Sequence, residues 1–380
     1  MQLSCLQENL SRGLSIVQRA VATRTTLPIT QNVMMATDNA RLKLSATNLE
    51  IAISTWVGAQ VEEEGSLTVP ARLLTEFVNS LPAARIDINS SAQPLSLGLR
   101  CERFEANING QDANDFPPIP TVDEGAVGRI DAAVMHDAIS RVAFAAATDD
   151  SRPVLTGIKV EMSGDSFTFA AADGFRLAVY DGKLAEPISE DISFTVPARA
   201  LQEVGRLISA QSDPVEFTVT PQKSQALFRL HNVELVSQLV QGTFPNFRQL
   251  IPESYETRVV VAHESFTQAT RAAATFARDG SGIVRLNMTA GNDGDEGKLA
   301  VSSRAEELGD NVGEIDAKIE GEDAKIAFNS RFLSDVLDAL GDDEVALETT
   351  TPSSPGVIKP ASDSETHTYT HVVMPMFVQW

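Results

Sequence analysis

The chain of 380 residues, 43% of them hydrophobic and 22% charged, has the composition of an ordinary globular protein and the length of two to four domains. No apolar run approaches the roughly 20 residues that span a bilayer, and the first residues lack the basic and then apolar pattern of a signal peptide. We therefore expect a cytoplasmic protein. A formal charge of −22, taken alone, argues against a nucleic-acid partner, because phosphates are bound by lysine and arginine.

The cysteines agree with a reducing compartment. Cys5 and Cys101 are the only two, and both fall within apolar patterns without forming a metal-binding or redox motif. We expect both thiols to be small buried hydrophobic groups.

In chain order, the first 124 residues alternate between helical and strand patterns. Apolar spacing predicts a helix over 5–22, strands around 33–36, 42–46 and 49–53, a helix over 70–81, and strands around 86–88 and 95–99. An acidic and proline-rich segment at 112–125 then indicates a linker.

The remainder repeats this alternation twice. In the second unit we predict a helix over 132–147, a turn at 151–157, strands at 167–171 and 177–179, a helix over 197–209, strands at 215–219, 226–230 and 234–240, and a linker at 244–252. In the third we predict a helix over 263–277, strands at 284–289 and 299–303, a helix after 331, a loop at 350–360 and a strand at 368–376. The acidic loop at 291–297 lacks the register of a calcium loop and is predicted to be a solvated hairpin tip.

One short stretch marks the repeat. It reads TVPAR at 68–72 and 195–199, and more loosely AFNSR at 327–331, and each copy joins a strand to a helix. Pro70 and Pro197 suit the first helical turn, because proline has no N–H to donate. The copies lie 127 and 132 residues apart, which is the length of a domain. The sequence therefore predicts an α+β protein of three similar domains, at 1–124, 125–252 and 253–380.

Arginine recurs on helix faces turned away from the apolar stripes. The 22 arginines outnumber the 8 lysines, and arginine pairs seven residues apart occur on three predicted helices. Positive charge gathered on equivalent surfaces of repeated domains creates a local field that the net charge conceals, so the predicted partner is a polyanion.

The helices, if they line a closed ring, set the size of its hole. Neighbouring helices pack about 8–10 Å apart, so six helices from one chain leave almost no bore. Twelve helices from two chains give a diameter of about 31–38 Å with roughly 20–28 Å free, which admits a DNA duplex. Such a ring closes when two chains meet head to tail, and we expect the seam near 97–108 and 274–276. The predicted DNA-binding residues are Arg24, Arg72, Arg152 and Arg199, supported by Arg12, Arg19, Arg141, Arg206, Arg271, Arg278 and Arg331.

Several motifs resemble those of one family. Residues 151–157 (SRPVLTG), 172–179 (ADGFRLAV) and 372–376 (VVMPM), together with the three repeats, are similar in order and over the whole chain to bacterial sliding clamps, the beta subunits of DNA polymerase III. The resemblance implies a head-to-tail homodimeric ring of six similar domains, with helices lining a central hole and antiparallel sheets outside. Such a ring encircles duplex DNA without reading its sequence and has no catalytic activity or cofactor.

The resemblance also implies partners and a binding slot. The partners are an ATP-driven clamp loader, the polymerase III catalytic subunit, and other polymerases and repair factors that carry short linear motifs. The implied peptide-binding residues are Leu155, Ala172, Gly174, Phe175, Arg176, Leu177, Pro245, Leu250, Val372, Val373, Met374, Pro375 and Met376. Aliphatic walls with methionine suit a slot that serves many ligands, and Arg176 is expected to fix polar atoms of the ligand. Ala172, Phe175 and Gln249 depart from common family residues, and residues 377–380 extend past Met376, where we expect them to cap or partly occlude the slot.

An enzyme is not expected. The five histidines form no H-E-x-x-H pair, and the chain contains neither G-x-S-x-G nor the phosphate loop G-x-x-x-x-G-K-[ST]. A scaffold that docks peptides without binding DNA stays open as an alternative. Charge reversal at Arg24 and Arg199 separates the two, because only a clamp would lose loading onto DNA.

Overall fold

The chain folds into alternating helices and antiparallel strands. We describe a computed structural model of residues 1–122, 124–208, 211–278, 281–291, 297–362 and 364–379. The backbone divides into two compact units, one of Met1–Ala133 with Glu203–Leu239 and the other of Val134–Gln202 with Val240–Trp380. The acidic loop expected at a hairpin tip lies largely outside the described residues.

The first third of the chain holds two helices and nine strands among its described residues. They are β1 (Gln2–Leu6), α1 (Gln7–Val17), β2 (Asn32–Asp38), β3 (Arg41–Thr47), β4 (Ile51–Gly58), β5 (Gln60–Glu63), β6 (Ser66–Pro70), α2 (Ala71–Ser80), β7 (Arg85–Ala92), β8 (Leu95–Cys101) and β9 (Phe104–Asn109). Short 3-10 helices cover Gln18–Ala20, Pro28–Gln31 and Ala113–Asp115.

The middle third repeats this order. Its elements are β10 (Ala126–Ile130), α3 (Ala132–Val142), β11 (Gly157–Ser163), β12 (Ser166–Ala172), β13 (Arg176–Lys183), β14 (Ile192–Pro197), α4 (Ala198–Ile208), β15 (Val215–Val219), β16 (Gln225–Leu230) and β17 (Val233–Gln238). Further 3-10 helices cover Ala143–Ala145, Pro153–Thr156 and Phe247–Leu250.

The last third repeats it once more. Its elements are β18 (Thr257–Ala262), α5 (His263–Arg278), β19 (Ile283–Thr289), β20 (Gly297–Ala305), β21 (Gly309–Gly321), β22 (Ala324–Asn329), α6 (Ser330–Ala339), β23 (Glu344–Thr349), β24 (Gly356–Pro360) and β25 (Thr368–Val373).

The strands form three sheets. The first unit contains a sheet in the order β5-β1-β7-β8-β9 and a second in the order β10-β15-β16-β17-β4-β3-β2-β6. The second unit contains one sheet in the order β14-β11-β12-β13-β25-β24-β23-β18-β21-β20-β19-β22. The expected α+β class with antiparallel sheets is confirmed.

One strand pairing occurs twice at equivalent places in the repeats. Strand β4 of the first repeat pairs with β17, the last strand of the second repeat. In the same way, β13 of the second repeat pairs with β25, the last strand of the third repeat, and β13 and β25 are equivalent to β4 and β17. The third member of each set lacks this partner among the described residues. The outer edge of β9 is free, and residues 309–317 of β21 pair with β20 alone. The position of β4 is therefore paired in the first two repeats and open in the third, whereas the position of β17 is open in the first repeat and paired in the other two.

Several predicted elements were wrong. The loop expected at 350–360 contains strand β24, and the helix expected over 132–147 ends at Val142 and is followed by a 3-10 helix. The helix expected over 5–22 is a strand, an eleven-residue α-helix and a 3-10 turn. Pro70 and Pro197 end strands β6 and β14 instead of occupying the first helical turn, and Pro70 is the N-cap of α2 with φ −54° and ψ 113°. The closing strand ends at Val373, three residues before the predicted end.

The core contains both cysteines, as predicted. Cys5 and Cys101 are buried, and burial raises the pKa of the Cys5 thiol to about 12, which keeps it protonated and unreactive. Helix α1 lies close to its sheet at Gly13, where an added Cβ would meet Val57 Cγ2 at 2.6 Å. Glycine at that position permits the close approach.

Candidate functional site

An apolar cluster within the second unit contains four of the residues predicted for the slot. Leu155, Ala172, Leu177 and Val372 are all buried in it, as the sequence predicts for the walls of a slot. Six residues that sequence reasoning did not assign to the slot complete the cluster: Ala147, Ala170, Val179, Phe244, Phe247 and Val357. Burial of this many apolar side chains makes the cluster rigid, because protein interiors are close-packed.

Three large apolar residues that were predicted for the slot are exposed. Phe175 is 60% exposed, Leu250 53% and Met374 46%, although large apolar residues are usually buried. The other three predicted slot residues at these two places in the chain differ from one another: Pro245 is exposed, Pro375 is buried, and Met376 is half-buried. Phe377 is 87% exposed, so its side chain does not pack into the slot as a cap.

Strand pairing holds the two halves of the slot in register. Arg176 lies opposite Val373 and Leu177 opposite Val372 where β13 pairs with β25. The backbone N–H of Met374 then donates to the carbonyl of Phe175 at 2.9 Å, which continues the contact past the end of the strand. Predicted residues more than 190 positions apart in sequence are thereby brought together.

The Arg176 side chain has a structural role that sequence reasoning did not predict. Its guanidinium is buried and donates to Asp173 Oδ2 at 3.0 Å, Asp335 Oδ2 at 2.6 Å and the carbonyl of Phe144 at 2.8 Å. It also lies 4.5 Å from the ring centroid of Phe332. These contacts use three of the five guanidinium N–H groups, and the expectation that Arg176 fixes polar atoms of a ligand stays a prediction for the other two.

The turn before β13 is held by backbone contacts. Asp173 Oδ1 accepts from the N–H groups of Phe175 and Arg176, and Arg152 Nη2 donates to the carbonyl of Asp173 at 2.8 Å. Gly174 has φ +93°, and a Cβ there would lie 2.7 Å from Arg152 Nη2. The positive φ favours glycine at 174, and a Cβ there would also force the Arg152 side chain to shift. The Arg152 guanidinium packs on this turn, although its residue is exposed.

Aromatic residues beside the slot were missed by sequence reasoning. The rings of Phe175 and Phe332 stack at 6.4 Å, and the rings of Phe244 and Phe247 meet edge to face at 6.3 Å. Phe332 lies next to Arg331 in the third repeat stretch, and Phe244 precedes Pro245. The only available signal was therefore their adjacency to predicted residues.

Most of the predicted DNA-binding arginines are exposed. These are Arg12, Arg19, Arg24, Arg72, Arg152, Arg199, Arg206, Arg271, Arg278 and Arg331. In the described part of the chain, Arg12, Arg24, Arg199 and Arg331 make no ion pair, whereas Arg72 pairs with Glu76 at 2.8 Å and Arg271 with Asp338 at 2.7 Å. Exposed pairs of this kind are weak, so these charges remain available to a polyanion.

The prediction that Arg141 binds DNA was wrong. It is 7% exposed and donates to Asp137 Oδ1 at 2.8 Å and Asp342 Oδ2 at 2.9 Å, with its guanidinium carbon 5.7 Å from the ring centroid of Tyr369. A charge that is buried and compensated on two sides cannot meet DNA phosphates. The prediction failed because Asp342 and Tyr369 come from a distant part of the sequence.

An acidic residue follows each repeated arginine by four positions, and these acids form ion pairs with different partners in the three copies. Glu76 pairs with Arg72, but Glu203 pairs with Arg19 and Arg206, and Asp335 pairs with Arg176. The repeat therefore conserves a helix start while its charges serve different contacts in each copy.

His371 is a buried titratable group next to the slot. It stacks on Phe144 with ring centroids 5.4 Å apart, and its Nδ1 lies 3.3 Å from the hydroxyl oxygen of Tyr369. Burial, and secondarily the charge of Arg176, lower the pKa of His371 from 6.5 to about 3. The folded protein therefore holds this imidazole neutral.

We predict that His371 makes the folded protein less stable in acid. Because folding lowers the pKa of His371, the unfolded chain binds a proton below about pH 6.5 that the folded protein does not bind. The free energy of unfolding therefore falls by about 1.4 kcal/mol per pH unit between pH 6.5 and 3. Urea unfolding measured at steps across this range should show a shallower pH dependence in His371→Phe than in the wild type. The exposed-residue variant His136→Phe should keep the wild-type dependence, and an unchanged slope in His371→Phe would contradict the assignment.

Comparison with known proteins bears on the whole chain. Family models of the DNA polymerase III beta subunit match residues 1–120 (N-terminal domain), 129–246 (central domain) and 248–377 (C-terminal domain). The chain belongs to this family. The beta sliding clamp of Synechococcus elongatus is 31% identical over 383 residues, covering 99% of each chain.

Solved structures of sliding clamps show the same fold. The clamp of Bacillus subtilis matches with a TM-score of 0.92 at 26% identity over 100% of both chains. A Pseudomonas aeruginosa clamp bound to griselimycin matches with a TM-score of 0.90 at 26% identity over 100% of both chains. The resemblance seen in the sequence is confirmed.

Family membership decides the class of function. The chain is a DNA sliding clamp with three clamp domains and not an enzyme, and a scaffold without DNA is not favoured. Among the described residues, no helix is long and apolar enough to cross a membrane, and no acidic, histidine or cysteine groups cluster as metal ligands.

Proposed function

We propose that two copies of this clamp meet head to tail and close around duplex DNA. The observation that carries this proposal is the repeated strand junction, which is used as β4–β17 and β13–β25 and leaves β9 and β21 open. Pairing β9 of one copy with β21 of another repeats the same junction and satisfies the backbone groups of both edges. Two such junctions close a two-fold ring.

The two open edges carry the side chains that such a seam requires. Phe104 on β9 is 51% exposed, Val312 on β21 is 64% exposed, and Leu308 just before β21 is 63% exposed. Exposed apolar residues at a strand edge favour pairing with another chain. β9 lies within the expected region 97–108. On this proposal the second edge belongs to β21, which adjoins α5, the helix that contains the other expected region, 274–276.

Duplex DNA is held without readout of its bases. We assign its phosphates to Arg24, Arg72, Arg152 and Arg199, supported by Arg12, Arg19, Arg206, Arg271, Arg278 and Arg331. Guanidinium groups on exposed helix faces bind phosphates through charge, and contacts of this kind carry no sequence information. The remaining acidic charge of the chain repels other polyanions from its outer surface.

A difference between circular and linear DNA tests the ring. Direct affinity for short linear DNA should be modest and should fall steeply with salt, while clamps loaded on closed circles should stay bound for much longer. The measurement is gel filtration of labelled clamp on circular DNA before and after the circle is cut once. Equal retention on both forms would contradict encirclement.

The apolar slot binds short extended peptides of replication and repair proteins. Its proposed ligands are segments of the polymerase III catalytic subunit, the clamp loader, and other polymerases and repair factors. The support is a buried apolar cluster together with the exposed apolar residues Phe175, Leu250 and Met374, since peptide sites combine pockets for apolar side chains with exposed backbone groups. We also place the clamp in the cytoplasm, beside the DNA that it encircles.

We predict that charge on the rim of this slot blocks peptide binding. Phe175→Asp or Leu250→Asp should weaken binding of a labelled peptide with two apolar anchor residues by about tenfold to a hundredfold, because a carboxylate would be desolvated on docking. Fluorescence anisotropy measures the affinity. Leu49→Asp is the matched control, because Leu49 is 54% exposed and lies in the first unit. Equal weakening by all three variants would contradict the slot.

A further inference from the structure

A small pocket adjoins the apolar cluster of the second unit. Its volume is about 140 Å³, and Val357 belongs both to its wall and to the cluster that contains the predicted slot residues. An apolar cavity of roughly 150 Å³ can hold one benzene ring, whereas whole small-molecule ligands occupy roughly 300–1,000 Å³. The pocket is therefore large enough for one side chain but not for a separate ligand.

Strand register places this pocket on the face of the sheet that carries the cluster. Leu177 lies opposite Val372, which lies opposite Val357, across β13, β25 and β24. Val357 in turn lies opposite Glu348 of β23, a residue of the pocket wall. Directly opposed residues of neighbouring antiparallel strands point to the same face of a sheet and lie about 5 Å apart. The pocket thus begins one strand beyond the cluster.

One short segment of chain borders both the slot and the pocket. Leu250, which was predicted for the slot, is 53% exposed, and Pro252 and Tyr255 further along the segment line the pocket. The step from Leu250 to Pro252 spans at most about 7 Å, because an extended chain advances no more than about 3.6 Å per residue. A peptide that contacts Leu250 therefore needs only a few further residues to reach the pocket.

The pocket presents apolar surface to a partner. Its apolar wall is formed by Pro252, Tyr255, Pro355 and Val357. Tyr255 is 41% exposed, so apolar surface continues along the chain past Leu250. Exposed apolar surface of this kind, next to a binding site, favours contact with a further part of the same partner.

The charges around the pocket cancel. The side chain of Glu348 is only 9% exposed, and its Oε1 lies 2.9 Å from Lys359 Nζ and 3.5 Å from Arg258 Nη1. Glu253, an exposed residue of the wall, supplies a second negative charge. Two carboxylates and two cations leave no net charge for an ionic ligand, and an ion that entered would lose its hydration without gaining a free counter-charge. The pocket therefore favours a neutral side chain.

We propose that this pocket receives an aromatic side chain, phenylalanine or tyrosine, from the same partner peptide that occupies the slot. The inference rests on the proposed peptide binding of the slot and adds a further anchor to it. The volume fits one ring, the wall is apolar, and the ammonium of Lys359 in the wall favours the face of an aromatic ring over an aliphatic chain.

The experiment compares labelled peptides by fluorescence anisotropy on the full-length protein. The base peptide carries two leucine anchors, and it is extended at either end by Gly-Ser-Phe or by Gly-Ser-Ser. We expect Gly-Ser-Phe at one of the ends to raise the affinity about tenfold over Gly-Ser-Ser, because burial of the ring outweighs the cost of ordering the added residues. Tyr255→Ala should remove most of this gain. Ser254→Trp, at an exposed position of the wall, should do the same by filling the pocket.

The base peptide and a matched variant serve as controls. The base peptide does not reach Tyr255, so its unchanged affinity for Tyr255→Ala shows that the second unit is folded. Leu27→Ala should keep the full gain, because Leu27 is also 41% exposed but lies in the first unit.

An aromatic site is ruled out if Gly-Ser-Phe adds nothing at either end, if Gly-Ser-Asp or Gly-Ser-Lys binds as tightly, or if Tyr255→Ala and Ser254→Trp both retain the gain. In each of these cases the base peptide still binds, and the proposed function of the slot stands. If the base peptide itself does not bind, the slot fails as a peptide site and the additional anchor fails with it.

Discussion

Phe104→Asp and Val312→Asp will each leave the chain monomeric and abolish its retention on circular DNA. On the proposed seam, each of these side chains is exposed in one copy and becomes covered by the other. Burying a carboxylate against apolar groups costs at least about 2 kcal/mol, and a closed two-fold ring contains the junction twice. The dissociation constant should therefore rise by about a thousandfold or more.

Solution mass measured by light scattering over a concentration series tests this prediction. Val127→Asp is the matched control: Val127 is 49% exposed on β10, an edge strand of the first unit that the seam does not use, and its mass should equal that of the wild type. A dimer in either seam variant at wild-type concentrations would place the interface elsewhere. A monomeric wild type would refute the ring itself.

The fold was largely predictable because its signals are local. Each copy of the repeated stretch ends a strand and is followed at once by a helix, at Ala71, Ala198 and Ser330. Strand β21 was missed because its burial alternates along the strand but only Ile315, Ala317 and Ile319 mark the inner face with apolar side chains, and most of its 13 residues are polar. Strand β1 was missed because Leu6 also continues the apolar stripe of α1.

The site was predictable only in part. Its apolar residues followed from the family resemblance, and the structure brings four of them, Leu155, Ala172, Leu177 and Val372, into one buried cluster. The roles of the charged residues did not follow, because Arg141 and Arg176 meet aspartates that lie more than 150 positions away in sequence. A helical pattern shows which face a side chain occupies but not which element will cover that face.

Arg176→Leu will destabilise the second unit by about 3–5 kcal/mol, because it leaves two partly buried carboxylates without their counter-charge. Asp173 is 16% exposed and Asp335 29% exposed at the side chain, so water screens the second more than the first. The same change frees the carbonyl of Phe144 and removes the cation from the ring of Phe332. The urea midpoint of the second unit should fall, and peptide binding should be lost with it.

The conservative variant separates charge from shape. Arg176→Lys keeps one positive charge, but an ammonium on a single stem cannot reach Asp173, Asp335 and the Phe144 carbonyl in the directions that the planar guanidinium serves. We expect it to recover less than half of the lost stability. Full recovery would mean that charge alone holds the slot. The triple variant Arg176→Leu, Asp173→Asn, Asp335→Asn should be more stable than Arg176→Leu, because it removes the unpaired carboxylates whose burial causes the loss.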